Sequence, residues 1–231
     1  MLQQAIEAFQ CGNFDSANLL LKRVLQVDSK NLPALHVLGL IKASQAHYKE
    51  AADFLGRAAS INPNDASIQY NLAKTLSDSG CDKEALVHHK KAVTLAPNNP
   101  EAWVNYGKTA SNLGRYKDAL VCYSHALSLK SDYAEAALNK GATLKELKRY
   151  EEAINFAGEA LAINPNLAEA WSNKGVALKE LKRFDEAIAH YDKALSLQPD
   201  YHEAWTNKGV TLHELKRFDE AIAHYDKALS L

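Results

Sequence analysis

The sequence predicts an all-α solenoid of about seven stacked helical hairpins, and three observations carry that prediction. First, Trp171–Leu197 and Trp205–Leu231 are the same segment written twice, 34 residues apart, differing only at Ser172/Thr206, Ala177/Thr211 and Lys179/His213. A period of this size is the signature of a stacked-repeat architecture. Second, small residues recur at the same interval along the whole chain: Ala17, Ala51, Ala85, Ala119, Ala153, Ala187 and Ala221 form one such column. Third, Trp171, Gly175 and Leu178, and likewise Ala187, Tyr191 and Ala194, follow the i, i+4, i+7 spacing of one helix face.

Numbering each repeat from 1 to 34 places the repeats at about 1–31, 32–65, 66–99, 100–133, 134–167, 168–201 and 202–231. Position 8 holds Ala5, Gly39, Ala73, Gly107, Gly141, Gly175 and Gly209, and position 27 holds Val24 and then six alanines from Ala58 to Ala228. In the sixth repeat, helix A is expected over about Glu169–Leu181 and helix B over about Asp185–Leu197. Lys182-Arg183 forms the turn between them. The small residues at positions 8, 20 and 27 let the two backbones approach, so Gly175 is expected to face Ala187, and the aromatic at position 24 fills the space beside them. Helix B ends at Gln198-Pro199-Asp200, because proline cannot continue a helix and disfavours a helical residue before it.

The repeat pattern resembles the tetratricopeptide repeat family, whose signature is Trp-x2-Leu-Gly-x2-Tyr, then Ala-x3-Phe, Ala and Pro. Trp171, Gly175, Ala187, Tyr191, Ala194 and Pro199 match in place, while Lys174 and Leu178 stand where leucine and tyrosine are usual. The resemblance implies a single array over residues 1–231, a right-handed superhelix with helices A lining its concave face. The first two repeats carry Leu21 and Leu55 at position 24, which suits a terminal capping role.

Composition narrows the function. The formal net charge of −1 gives no global basic field, so neither nucleic acid nor an anionic membrane is an expected partner. No apolar run approaches the ~20 residues of a membrane span, and the start MLQQAIEAFQ has no signal-peptide pattern. Three cysteines without a CxxC pair point away from a disulfide framework and towards a cytoplasmic setting.

No catalytic signature survives inspection, so neither an enzyme site nor a cofactor is expected. Gly107-Lys108-Thr109 resembles the end of a phosphate loop, but Ala102 stands where its first glycine is needed. His213-Glu214 begins like a zinc-protease helix, but Arg217 replaces the second histidine. His88, His190 and His224 share position 23 without acidic or cysteine partners and read as a solvated flank, not a metal site.

One constellation stands out. Position 6 is asparagine in five consecutive repeats: Asn71, Asn105, Asn139, Asn173 and Asn207. At ~100° per residue it lies about 200° from positions 4 and 8, so it projects away from the packing stripe, into the expected groove. A carboxamide carries donors and an acceptor and can pair with both N–H and C=O of an extended backbone. Duplication of one unit, or bonding between neighbouring helices, would also produce such a row. Around it lie Glu135, Glu169 and Glu203 at position 2, acids such as Glu146 and Glu180 at position 13, and Val176 and Val210 at position 9. Position 2 is the first helical turn, where the macrodipole alone favours an acid. Lys140, Lys174 and Lys208 at position 7 are expected to snorkel over the core.

The asparagine ladder, with repeats of the form Ala-Trp-x-Asn-x-Gly, looks like the repeat arm of O-linked N-acetylglucosamine transferases. That resemblance implies capture of extended protein segments on the five asparagines, but no glycosyltransferase domain is present. The two-carboxylate clamp of chaperone-binding relatives fits less well, since only Lys74 and Lys108 offer basic groups at position 9. The expected function is thus a non-catalytic scaffold binding protein or extended peptide; the alternative is the recruiting arm of a longer glycosyltransferase. The array is further expected to continue past Leu231. Tyr225, Ala228, Leu229 and Leu231 would then leave an apolar patch open to end-to-end self-association.

Overall fold

The computed structural model describes residues 1–231. It contains fourteen α-helices and no strand: α1 (Leu2–Gln10), α2 (Phe14–Val27), α3 (Leu32–Ser44), α4 (Tyr48–Ile61), α5 (Ala66–Asp78), α6 (Asp82–Leu95), α7 (Pro100–Asn112), α8 (Tyr116–Leu129), α9 (Ala134–Glu146), α10 (Tyr150–Ile163), α11 (Ala168–Glu180), α12 (Phe184–Leu197), α13 (His202–Glu214) and α14 (Phe218–Leu229). Odd-numbered helices are the A helices of the seven repeats and even-numbered ones the B helices. Both helices of the sixth repeat begin one residue before their expected starts, and its helix A ends one earlier. The chain divides into two compact halves, Met1–Gly114 and Arg115–Leu231, parting at the turn of the fourth repeat. Within each half, successive A helices touch one another while successive B helices do not. The A helices therefore line the inner side of each half and the B helices splay on the outer side.

Local sequence explains the helix ends. The A helices of repeats two to four start at side-chain caps: Asn31, Asp65 and Asn99 accept backbone N–H groups of the first turn, and Pro33 and Pro100 sit where a missing N–H costs nothing. In repeats five to seven the same place holds Tyr133, Leu167 and Tyr201, and no side-chain cap forms. The turn into helix B is a Schellman motif: Arg183 N–H donates to Leu178 C=O at 2.9 Å, and Lys182 takes φ 61°. Ala46, Lys148 and Lys216 share this left-handed backbone, which glycine fills in repeats one, three and four. In repeats four to seven helix B opens with an ion pair from its N-cap arginine across the first turn, as in Arg183 with Glu186 at 2.7 Å. Such exposed pairs contribute little to stability.

Packing within a hairpin corrects one expectation. Gly175 faces the Tyr191 ring, not Ala187: a Cβ on Gly175 would lie 2.7 Å from that ring. Gly209 stands in the same way against Tyr225, and Gly39 against Leu55. Position 24 therefore fills the place left by the missing side chain at position 8. Ala187 is wholly buried within the same cluster as Leu178 and Tyr191. Repeat five solves the problem differently. Its position 24 is Ala157, and Gly141 rests directly on the backbone of α10, with the Ala157 nitrogen 3.2 Å from where a Cβ would sit.

Repeats are joined by a contact that the residue columns did not reveal. The indole N–H of Trp103, Trp171 and Trp205 donates to the carbonyl of Pro97, Pro165 and Pro199 at 2.7–2.9 Å. In repeat three Gln69 makes the same bond to Pro63. Repeat five has Ala137 and Ser131 at these places and so lacks both the indole and the proline.

Candidate functional site

The five asparagines lie on the A helices, each partly exposed, but their amides are not equivalent. Asn71 Nδ2 lies 3.0 Å from His36 Nε2, and Asn105 Nδ2 donates to the Tyr70 hydroxyl at 2.9 Å. His36 and Tyr70 occupy position 5 of the preceding repeat. Adjacent A helices are thus offset so that position 6 meets position 5. Where that neighbour is His36 or Tyr70, the amide is drawn into the stack. Tyr70 in turn donates to Glu101 at 2.6 Å.

In the second half the neighbours differ. Position 5 of the fifth repeat is Leu138, which offers Asn173 nothing. Asn173 Oδ1 instead accepts from Lys145 Nζ at 3.0 Å, and its Nδ2 is buried without a partner. The side-chain amides of Asn139 and Asn207 make no hydrogen bond within the protein, while their backbone carbonyls accept the hydroxyls of Thr143 and Thr211 at 2.8 Å. Glu135, Glu169 and Glu203 are exposed at the first turns of α9, α11 and α13, and Val176 and Val210 are half-buried beside the amides. Tyr201 stands between two of these acids: burial, then the charges of Glu169 and Glu203, raise its hydroxyl pKa. Lys179 is held by Glu180 at 2.7 Å and approaches Glu214 at 3.9 Å, so the inner-side lysines are already paired.

The position-23 histidines do not form a solvated flank. His190 and His224 pack on the Trp171 and Trp205 rings, with centroids 5.4 and 5.3 Å apart, and His88 Nδ1 lies 2.7 Å from Gln69 Oε1. Burial lowers the pKa of His88 and His190, which keeps them neutral near pH 7. Position 4 and position 23 are thus a stacking pair, legible in retrospect from the coincidence of Trp with His in the last two repeats. No group of three or more His, Cys, Asp or Glu is placed to hold a metal ion. No helix is long and apolar enough to cross a membrane. At the C-terminal end Leu229 and Leu231 are exposed and Tyr225 partly so, but Ala228 is buried and does not belong to the expected patch.

The tetratricopeptide repeat family models match residues 8–74, 168–201 and 202–231. The model of the cilia and flagella-associated protein 70 middle TPR-like domain matches residues 69–183. No curated protein matches the chain. Among solved structures, MamA from Desulfovibrio magneticus is 25% identical, with a TM-score of 0.66 over 72% of this chain and 94% of that one. YrrB, described as a TPR protein with an unusual peptide-binding site, is 21% identical with a TM-score of 0.68, covering 85% of this chain and 97% of that one. A tetratricopeptide repeat protein from Parabacteroides merdae reaches a TM-score of 0.77 at 18% identity, covering 99% and 91%. Seven A–B hairpins, their position-8 and position-24 packing and these matches agree: the chain belongs to the tetratricopeptide repeat family.

Proposed function

We propose that the chain is a non-catalytic scaffold whose inner side holds an extended peptide segment, and that Asn139, Asn173 and Asn207 carry the contact. The observation behind this reading is the unspent hydrogen-bonding capacity of that row. Two amides have no partner in the protein, and the third has an orphaned buried donor. A buried donor without an acceptor costs about 1–3 kcal/mol, so a peptide carbonyl that satisfied Asn173 would recover part of that cost. Val176 and Val210 offer apolar contact beside the amides, and Glu135, Glu169 and Glu203 line the edge. Asn71 and Asn105 take a structural part, because His36 and Tyr70 already hold them. YrrB supports the reading as a related fold with a peptide-binding site. Were the chain the recruiting arm of a glycosyltransferase, the same groove and the same test would apply.

The test is selection of peptides from a random library on the whole chain, followed by titration against a variant with Asn139, Asn173 and Asn207 all changed to alanine. The variant should lose at least tenfold in affinity while its helical circular dichroism is unchanged. N-methylation of the peptide backbone should weaken binding to the parent. Undiminished binding by the triple variant overturns the reading. A second part of the proposal is self-association through α14, where Phe218, Ile222 and Leu229, and beyond it Leu231, are more than half exposed. Light scattering over a concentration series tests it; a monomer at millimolar protein refutes it.

A further inference from the structure

The outer side of the second half holds a cavity that the peptide groove does not use. It measures about 620 Å³, lies between α8 and α10 above α9, and is open to solvent. Its walls include Leu120, Val121, Ser124, Lys140, Leu144 and Phe156.

Lys140 is the informative residue. Its ammonium lies 4.1 Å from the centre of the Phe156 ring, is half-buried, and makes no ion pair. Burial lowers its pKa, and the more distant Glu159 and Glu152 only partly oppose this. Glu152 is itself claimed by Arg149 through two bonds of 2.7 Å. The same helix position in repeat seven shows what is missing. There Lys208 donates to Asp192, on the B helix of the preceding repeat, at 2.6 Å. The residue that stands to Lys140 as Asp192 stands to Lys208 is Ser124, on the cavity wall. The chain therefore repeats the cation and omits the carboxylate, and the cavity opens where that carboxylate would be. A partly desolvated cation beside apolar walls is stabilised by an anion brought in from outside.

We propose that this cavity binds a peptide segment in which a carboxylate adjoins bulky apolar side chains. The carboxylate pairs with Lys140, and the apolar side chains rest on Leu120, Leu144 and Phe156. This site is on the opposite side from the asparagine row and does not depend on it.

The experiment titrates the whole chain with Ac-Ala-Leu-Glu-Phe-Leu-Ala-NH2 and with its glutamine counterpart, following the methyl resonances of Val121 and Leu144. The glutamate peptide should bind at least about tenfold more tightly. Lys140→Met should remove that preference. Ser124→Asp, which supplies the internal carboxylate, should abolish binding while retaining the helical circular dichroism, and it carries the test should Lys140→Met perturb the fold. Equal affinity for the two peptides, no shift at millimolar peptide, or an undiminished preference in Ser124→Asp would each overturn the proposal. Hexanoate binding as tightly as the peptide would overturn the assignment to a peptide.

Discussion

His89 makes the first half acid-sensitive through one buried ring. It occupies position 24 of the third repeat, is fully buried, and stacks on Tyr106 with centroids 6.3 Å apart. Its Nε2 lies 3.4 Å from Ser77 Oγ, and its Nδ1 has no partner. Burial, with a smaller push from His88 that outweighs the pull of Asp78, lowers its pKa from 6.5 to about 4. Because the folded value lies below the unfolded one, the unfolded chain takes up the proton first. Stability is full above pH 6.5 and is lost as the pH falls towards 4. Integrated to pH 5, the shift amounts to a loss of about 2 kcal/mol relative to pH 7.5. His89→Leu, which restores the residue type of Leu21 and Leu55, removes this contribution. Urea unfolding of parent and variant should therefore give a stability difference that moves by about 2 kcal/mol in the variant's favour between pH 7.5 and pH 5. Titration of the His89 ring resonance checks the cause directly. A ring pKa near 6.5, or a difference independent of pH, refutes the reasoning.

Three further outcomes are expected. Gly175→Ala drives a methyl group into the Tyr191 ring and should cost about 1–3 kcal/mol in thermal or urea unfolding; a neutral result would show that α11 and α12 do not meet there. Lys182→Gly relieves the φ of 61° and should be neutral or stabilising by up to about 1 kcal/mol, whereas Gly114→Ala, at φ 71°, should be destabilising by a similar amount. Trp171→Phe keeps most of the ring but loses the bond to Pro165, and should cost about 1 kcal/mol by the same assays.

The helices were legible because their period is written in small residues, which sterics force at every close approach. The pairing of Gly175 with Tyr191 was not, since Ala187 and Tyr191 share one helix face and only the tilt of the hairpin decides which of them meets the glycine. The direction of the asparagine row followed from helical geometry, but the state of each amide did not. That state depends on a one-residue offset between neighbouring A helices: His36 and Tyr70 capture an amide, while Leu138 and Ser172 do not. The tryptophan contact was invisible for another reason. Its acceptor is a backbone carbonyl, and every residue carries one.

Two junctions lack the indole strut and its Gln69 counterpart: that of repeat five, and that of repeat two, where Leu35 and Ser29 hold the corresponding places. In a linear stack, each repeat is held by its own fold and by its contacts with two neighbours, so the stack parts where the junction is weakest. Between Ser131 and Ala137 the bond that Trp171 and Trp205 make to a proline carbonyl is absent. Unfolding in denaturant should therefore proceed as blocks, not as a single all-or-none event, with amide exchange in α9 coming earlier than in α11. A stack with two looser joints can flex there while its other segments stay ordered.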